Sequence, residues 1–323
     1  MTGELVVRAA SADDRQAVLD LLARTLGWDN AAQYRELFAW KHERNVFGPS
    51  PAWVAWDRDR LAGFRTFLRW EFDLGGATVR ALRAVDTATD REHQRRGVFR
   101  RLTLHALEQL QGDGASFVFN TPNDQSRPGY LRMGWQVAGR IPLAARPAGL
   151  RGIVRMASAR VPAELWSAGA AGGEPAPAVL EDRGQMSELL GSQPPARAMA
   201  TKRSAEYLRW RYGFPPLDYR AVVMPGGVAN GVALFRVRRR GAAREAVLCE
   251  ALTPGGESAA GRRLVRAAAH AAGADYLLRV AGAQDGCVPL PRQGPILTTR
   301  SINSEAAPAS SEWALTLGDV ELF

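Results

Sequence analysis

The part of this sequence richest in chemistry is the segment AVDTATDREHQRRGVFRRL at residues 84–102. An apolar run ends, a polar loop follows, and a helical pattern opens at Gly97. A helix start presents amides with no intrahelical acceptor and the positive end of the peptide dipoles, so it attracts phosphate oxygens. Glycine there lets backbone approach a bulky group closely. Arg95, Arg96, Arg100 and Arg101 add charge of the matching sign. These residues point to a phosphate-bearing ligand, with its diphosphate on the amides of residues 95–99. The loop has neither the Gly-Lys-Ser/Thr of a P-loop nor the GxGxxG of a Rossmann turn.

Positioning such a loop takes a strand before it and a helix after it, and the first half alternates those signals. Residues 5–8 read as a strand. Ser11 opens a helix, with Asp14 three residues on as a near capping box; Val18, Leu21, Leu22 and Leu26 repeat at helical spacing until Gly27. A second helical stretch spans 31–42. Runs at 53–56, 61–72 and 79–88, separated by a DRDR turn and by Gly75-Gly76, read as a three-strand meander. Past the loop, residues 98–111 carry Leu102, Leu104, Leu107 and Leu110 on an apolar helical face. Residues 116–120 read as a strand, 127–133 as a short helix and 135–143 as another strand. The order is β-α-α-β-β-β-α-β-α-β.

In that order, Gln94-Arg-Arg-Gly97-Val-Phe99 after a strand resembles the Q/R-x-x-G-x-G/A acyl-CoA loop of the GNAT acetyltransferase superfamily. Asn120, Asn123 and Tyr130-Leu-Arg-Met-Gly134-Trp135 resemble the Y-x-x-x-G-F segment of that family. Phe99 departs from the usual Gly or Ala, and Arg91 stands where proline is common. The resemblance implies an α/β fold with a mixed, mostly antiparallel central sheet flanked by helices, and acetyl-CoA as co-substrate. It also implies roles. Thr87, Ala88 and Thr89 match the strand whose backbone pairs with the pantetheine arm. Gln94, Arg95, Arg96, Gly97, Val98 and Phe99 match the pyrophosphate loop, and Asn120 and Asn123 lie where a splayed fifth strand meets coenzyme A. Tyr130 matches the general acid for the departing thiolate, a task suited to a phenol pKa near 10; the plainer reading is a packing tyrosine. Asp86, on the strand beside the thioester, is the candidate general base, or else a strand-edge aspartate bonded to the neighbouring loop. Glu71 is the reserve. His93 reads as solvated or near phosphate, and His105 and His270 as packing residues. Tryptophans 40, 53, 56 and 70 read as core or as an acceptor-pocket wall.

The second half echoes the first. The aromatic helix at 34–40, Phe47-Gly-Pro and the strand at Trp53 have counterparts in residues 205–210, Phe214-Pro-Pro and the strand at Tyr219. Strands at 231–238 and 246–252 and a helix at 262–272 complete the parallel. Its loop, TPGGESAAGRR at 253–263, lacks the acyl-CoA pattern; Pro254 has no N–H and Glu257 repels a diphosphate. The Ala/Gly/Pro run at 168–178 reads as linker. The expected organisation is two modules in tandem: a catalytic domain at 1–145, a linker at 146–178, and a degenerate module at 179–323 that ends in a strand over 313–323.

Composition bounds the rest. At 323 residues, 46% hydrophobic and 23% charged, the chain suits two globular domains. No run approaches the ~20 apolar residues of a membrane span, and the N-terminus lacks the apolar core of a signal peptide. Two cysteines make no disulfide framework, so a cytoplasmic setting is expected. Four histidines show no ligand spacing, so no metal site is expected. The net charge of +9 is spread as 21 basic and 17 acidic residues over 1–150 and 21 and 16 over the rest, which argues against a nucleic-acid partner. Only Lys41 and Lys202 among the 42 basic residues are lysine. The expected activity is acetyl-CoA-dependent N-acetylation of a primary amine on a small molecule, by direct transfer in a ternary complex. A non-catalytic acyl-CoA-binding regulator and a Fem-type aminoacyl-tRNA-dependent transferase are the alternatives.

Overall fold

In the computed structural model the described residues are 5–28, 32–280, 286–303, 308 and 312–321. They divide into two compact units, neither contiguous in sequence. The first takes residues 1–73, 77–139 and 295–312; the second takes 74–76, 140–294 and 313–323. Among the described residues no helix is long and apolar enough to cross a membrane.

The first unit begins with β1 (Val6–Ala9) and α1 (Arg15–Leu26). The capping box is present before α1: the Asp14 carboxylate accepts from the Ser11 N–H at 2.8 Å and from Arg8 at 2.6 Å. Next come α2 (Ala32–Phe38), which runs on into a wider π-type turn at Ala39–Glu43, and the meander β2 (Ala52–Asp57), β3 (Arg60–Leu74) and β4 (Ala77–Thr89). Then follow α3 (Val98–Gln109), β5 (Phe117–Asn120), α4 (Arg127–Arg132) and β6 (Gln136–Arg140). Helix α3 lies on the sheet through Val98, Leu102, Ala106 and Leu107, against Trp53, Phe67 and Val118. Glycine at 63 permits that approach, since a Cβ there would sit 2.5 Å from Val98 Cγ1 and 2.8 Å from Leu102 Cδ1.

The second unit contains β7 (Leu143–Pro147), α5 (Gly149–Ser158), β8 (Glu174–Pro175), α6 (Ala176–Val179), α7 (Arg183–Gly191), β9 (Ala200–Thr201), α8 (Ala205–Tyr212) and β10 (Arg220–Val223). After these come β11 (Val232–Arg240), β12 (Ala243–Leu252), α9 (Ser258–Ala272), β13 (Tyr276–Val280), β14 (Val288–Pro289), then β15 (Ile296–Ser301) of the first unit, and α10 (Leu317–Val320). The first sheet runs β1-β2-β3-β4-β5-β15-β6 and the second β14-β7-β13-β12-β11-β10-β8. Each is mixed and mostly antiparallel, with helices against it, as expected of two modules of one design.

The segmentation differs from the sequence reading in three places. The strand read at 135–143 is two: Ile141-Pro142 interrupts it, because proline offers no ladder N–H, and β7 joins the second sheet. The place beside β5 is filled instead by β15, antiparallel, with Thr298 opposite Asn120 and Ser301 opposite Phe117. The Ala/Gly/Pro run is not all linker: Glu174 pairs with Ala221, and Ala176 is fully buried at the start of α6. Small side chains there allow close packing. Finally, the described part of 313–323 is no strand. Thr316 and Asp319 form a capping box and start α10; residues 322 and 323 lie outside the described residues.

Candidate active site

β4 and β5 are parallel neighbours only from Ala81–Phe117 to Arg83–Phe119. β5 then ends at Asn120, while β4 continues to Thr89. Residues 84–89 of β4 therefore run on without a β5 partner. Beside them opens a cleft of about 1080 Å³, whose walls include Asp86, Thr87, Thr89, residues 93–95, residues 97–100, Asn123 and Tyr130.

The loop between β4 and α3 is pinned from below. The Asp90 N–H donates to Ala62 O at 3.0 Å, its carboxylate accepts from the Glu92 N–H at 3.1 Å, and Arg60 pairs with it at 3.0 Å. His93 is buried, its ring bonded to Asp57 at 3.0 Å and Asp90 at 3.3 Å. Of the two readings, solvated or near phosphate, burial removes the first, and His93 lines the cleft beside the loop. The hydrogen bond from His93 holds the Asp57 carboxyl below its ordinary range. Arg95 and Gly97 both adopt left-handed backbone, at φ 62° and 76°. These two reversals bring the chain into α3 with its first amides at the cleft. Arg95 and Arg100 line it with them.

Tyr130 is held from α4 by Phe99, edge-on at 5.3 Å between ring centres, and by Trp135 at 5.1 Å. Its phenol oxygen accepts a hydrogen bond from Arg65 Nη1 at 2.7 Å. A guanidinium only donates, so the tyrosine's own proton is left to point elsewhere, and its ring lines the cleft.

Of the cofactor residues expected from sequence, Thr87, Thr89, Gln94, Arg95, Gly97, Val98, Phe99 and Asn123 meet at this cleft. Three lie off it. Ala88 is buried in β4. Arg96 turns to Asp57 at 3.6 Å. Asn120 is buried and accepts a hydrogen bond from the Thr298 hydroxyl on β15. Asn123 spends its side-chain oxygen on the Ser126 N–H at 2.9 Å, at the start of α4. Glu71 faces a different cavity and pairs with Arg80 at 3.6 Å. Trp40, Trp53 and Trp70 are core and Trp56 donates to Asp14, so none of them walls the cleft. His270 is exposed rather than packed.

Asp86 is at the cleft but is not free to act as a base. Lys41 Nζ lies 2.8 Å and His42 Nε2 2.7 Å from its carboxylate, both from the buried π-type turn, and Ser50 bonds the other ring nitrogen of His42 at 3.0 Å. Burial works to raise the Asp86 pKa; the Lys41 charge and the His42 hydrogen bond outweigh it and hold the carboxyl at about 2. Burial lowers the pKa of His42 in spite of Asp86. Such a carboxylate takes up a proton poorly at neutral pH. Asp86 sits in left-handed backbone, φ 39°, and the pair fixes that irregularity in β4. The second unit repeats the arrangement: Tyr212, two residues after Trp210 as His42 is after Trp40, donates to Glu250 near the end of β12 at 2.9 Å. The repeat of this contact where the acyl-CoA loop is missing favours a structural role for the pair. Asp86→Asn, which leaves Lys41 buried without its carboxylate, is expected to cost about 3–5 kcal/mol of stability in urea unfolding. The sign with pH follows from the depressed value: the pair's contribution is complete above about pH 4 and is lost as pH falls towards about 2. An Asn variant as stable as wild type would remove this role.

Residues 6–138 match the family model for the acetyltransferase (GNAT) domain. Among curated proteins none matches this sequence. Among solved structures, a GCN5-related N-acetyltransferase from Kribbella flavida is 16% identical, with 93% of this chain and 71% of that one covered and a TM-score of 0.64. One from Anabaena variabilis ATCC 29413 is 14% identical, with 93% and 73% covered and a TM-score of 0.63. A probable N-acyltransferase from Enterococcus faecalis V583 is 10% identical, with the same coverage and TM-score. At such identities the likeness is one of fold, and it extends over both units. The match to the acetyltransferase (GNAT) domain thus covers residues 6–138, the stretch that contains the loop opening α3.

Proposed function

We propose that the first unit transfers an acetyl group from acetyl-CoA to the primary amine of a small molecule, by direct attack in a ternary complex. One observation carries this: the phosphate-attracting start of α3, the run of β4 that extends past its β5 pairing and Tyr130 share one cleft. The residues present fit coenzyme A. The amides of residues 97–100, with Arg95 and Arg100, suit a diphosphate. Backbone groups of residues 84–89 suit the amides of a pantetheine arm. Tyr130 holds a proton where the thiol end would lie, while Lys41 and His42 occupy Asp86, so the proton of the attacking amine leaves to water in the open cleft.

The second unit is proposed as a module without a cofactor site of its own. Its loop also reverses, at Gly255 and Gly256, but the N-cap of α9 is Glu257, with φ −58° and a carboxylate, where α3 has the left-handed Gly97. Tyr130→Phe is expected to lower kcat by about 10²-fold or more, with acetyl-CoA affinity changed less than about threefold, because only the leaving thiolate loses its donor. Thioester consumption over a panel of amines measures this; an undiminished rate would mean that another group protonates the thiolate.

A further inference from the structure

Arg65 has a place that packing does not explain. It lies on β3, on the face that also carries Gly63 and Phe67 and is covered by α3, and its side chain is fully buried. Among the described residues no carboxylate pairs with it. Its one hydrogen bond is the donation to the Tyr130 oxygen, and Nε and Nη2 have no hydrogen-bond partner. Its guanidinium is otherwise held against aromatic rings, with its carbon 4.3 Å from the centre of Phe67, 5.4 Å from Tyr130 and 5.8 Å from Phe99. A buried cation without a counter-charge is costly, and an apolar residue in such a place is usually neutral or stabilising. On β11 the α9-facing residues Ala233, Phe235 and Val237 are all apolar, and the second unit's own buried arginine on a phenol, Arg211 on Tyr219, also donates to the backbone oxygens of Gly318 and Glu321.

We propose that Arg65 is a positioning residue that acts through Tyr130, its charge held ready for the negative charge that appears when the thiolate leaves; this rests on the acetyl-transfer reading of the cleft. In that transfer the amine nitrogen bonds to the carbonyl carbon, the C–S bond breaks with its electron pair passing to sulfur, and the Tyr130 proton moves to the sulfur. The amine's surplus proton goes to water, and water returns one to the phenolate. Throughout, Arg65 Nη1 donates to the phenol oxygen, and its attraction is greatest while that oxygen is phenolate or the sulfur beside it is thiolate. A fixed donor in a water-poor place needs no reorganisation as that charge develops.

The test titrates the thiol of coenzyme A bound to the full chain, by thiolate absorbance, in wild type and in Arg65→Met, whose side chain can pack against the same rings. The thiol is expected to ionise at least about one pH unit lower in wild type, an effect of tenfold on the equilibrium. Steady-state kinetics should show a loss of about tenfold or more in kcat for Arg65→Met, with coenzyme A affinity within threefold. In a Tyr130→Phe background the same substitution should cost less than threefold, because the residue acts through the phenol. Arg65→Lys, which keeps the charge, should restore the low thiol ionisation and so separates charge from folding if the Met variant is unstable. Equal rate losses in both backgrounds, or a thiol that titrates alike in wild type and both variants, overturn the role of Arg65 while leaving acetyl transfer intact. A wild-type chain that binds no coenzyme A overturns both readings.

Discussion

Gly97→Glu is expected to abolish coenzyme A binding, leaving affinity reduced by more than 100-fold in calorimetry where wild type shows one site per chain. Two effects combine. Residue 97 has φ 76°, a conformation that costs a non-glycine residue about 1–2 kcal/mol, and the new carboxylate would stand at the positive end of α3 where a diphosphate is to bind. A Cβ at 97 meets no atom within 4 Å, so the side chain itself has room and the fold should survive. Gly97→Asn separates the two effects: asparagine tolerates left-handed backbone and carries no charge, so it should keep affinity within about tenfold. A folded Glu variant with wild-type affinity would remove this loop from the cofactor site.

The second large effect concerns β15. A chain lacking residues 179–323 loses the strand that lies between β5 and β6 in the first sheet. Phe117, Val118 and Phe119, all buried, would then lie on an open edge. The fragment is expected to be insoluble, or soluble without coenzyme A binding. The same dependence can be probed in the full chain. Thr299 is buried opposite Phe119 in the interior of the sheet, and Thr299→Pro should cost about 3 kcal/mol or more by removing a ladder donor. A soluble 1–178 fragment that binds coenzyme A normally would show that β15 is dispensable.

What the sequence disclosed follows from how local each signal is. The loop at residues 94–99, its helix and Tyr130 were legible because their chemistry lies in short runs with fixed spacing. The exchange of β7 and β15 was not: a strand carries no mark of which sheet it joins, and nothing near Ile296 names Phe117 as its neighbour. Asp86 was legible as a cleft residue and as a candidate base, but its pairing with Lys41 and His42 was not, because those partners lie more than forty residues away in the chain. A signal for that pair did exist. In a chain with 40 arginines among 42 basic residues, a lysine at position 41 is out of keeping, and it proves to be wholly buried on Asp86. A compact ammonium fits there without the wide fork of a guanidinium. Arg65 had no comparable mark, since on β3 it looks like any of the chain's other arginines.

The place of β15 also sets an order on synthesis. A nascent chain normally folds its domains as they leave the ribosome, from the N-terminus onward. Here Phe117–Asn120 is made about 180 residues before its partner Ile296–Ser301. At ~5–20 residues/s that interval is roughly 10–35 s. The second unit's strands up to β14 emerge within it, while the first sheet waits with an unfilled slot. The unit that carries the proposed chemistry is then completed late, and its exposed strand β5 is the surface that holding chaperones should find on ribosome-bound chains.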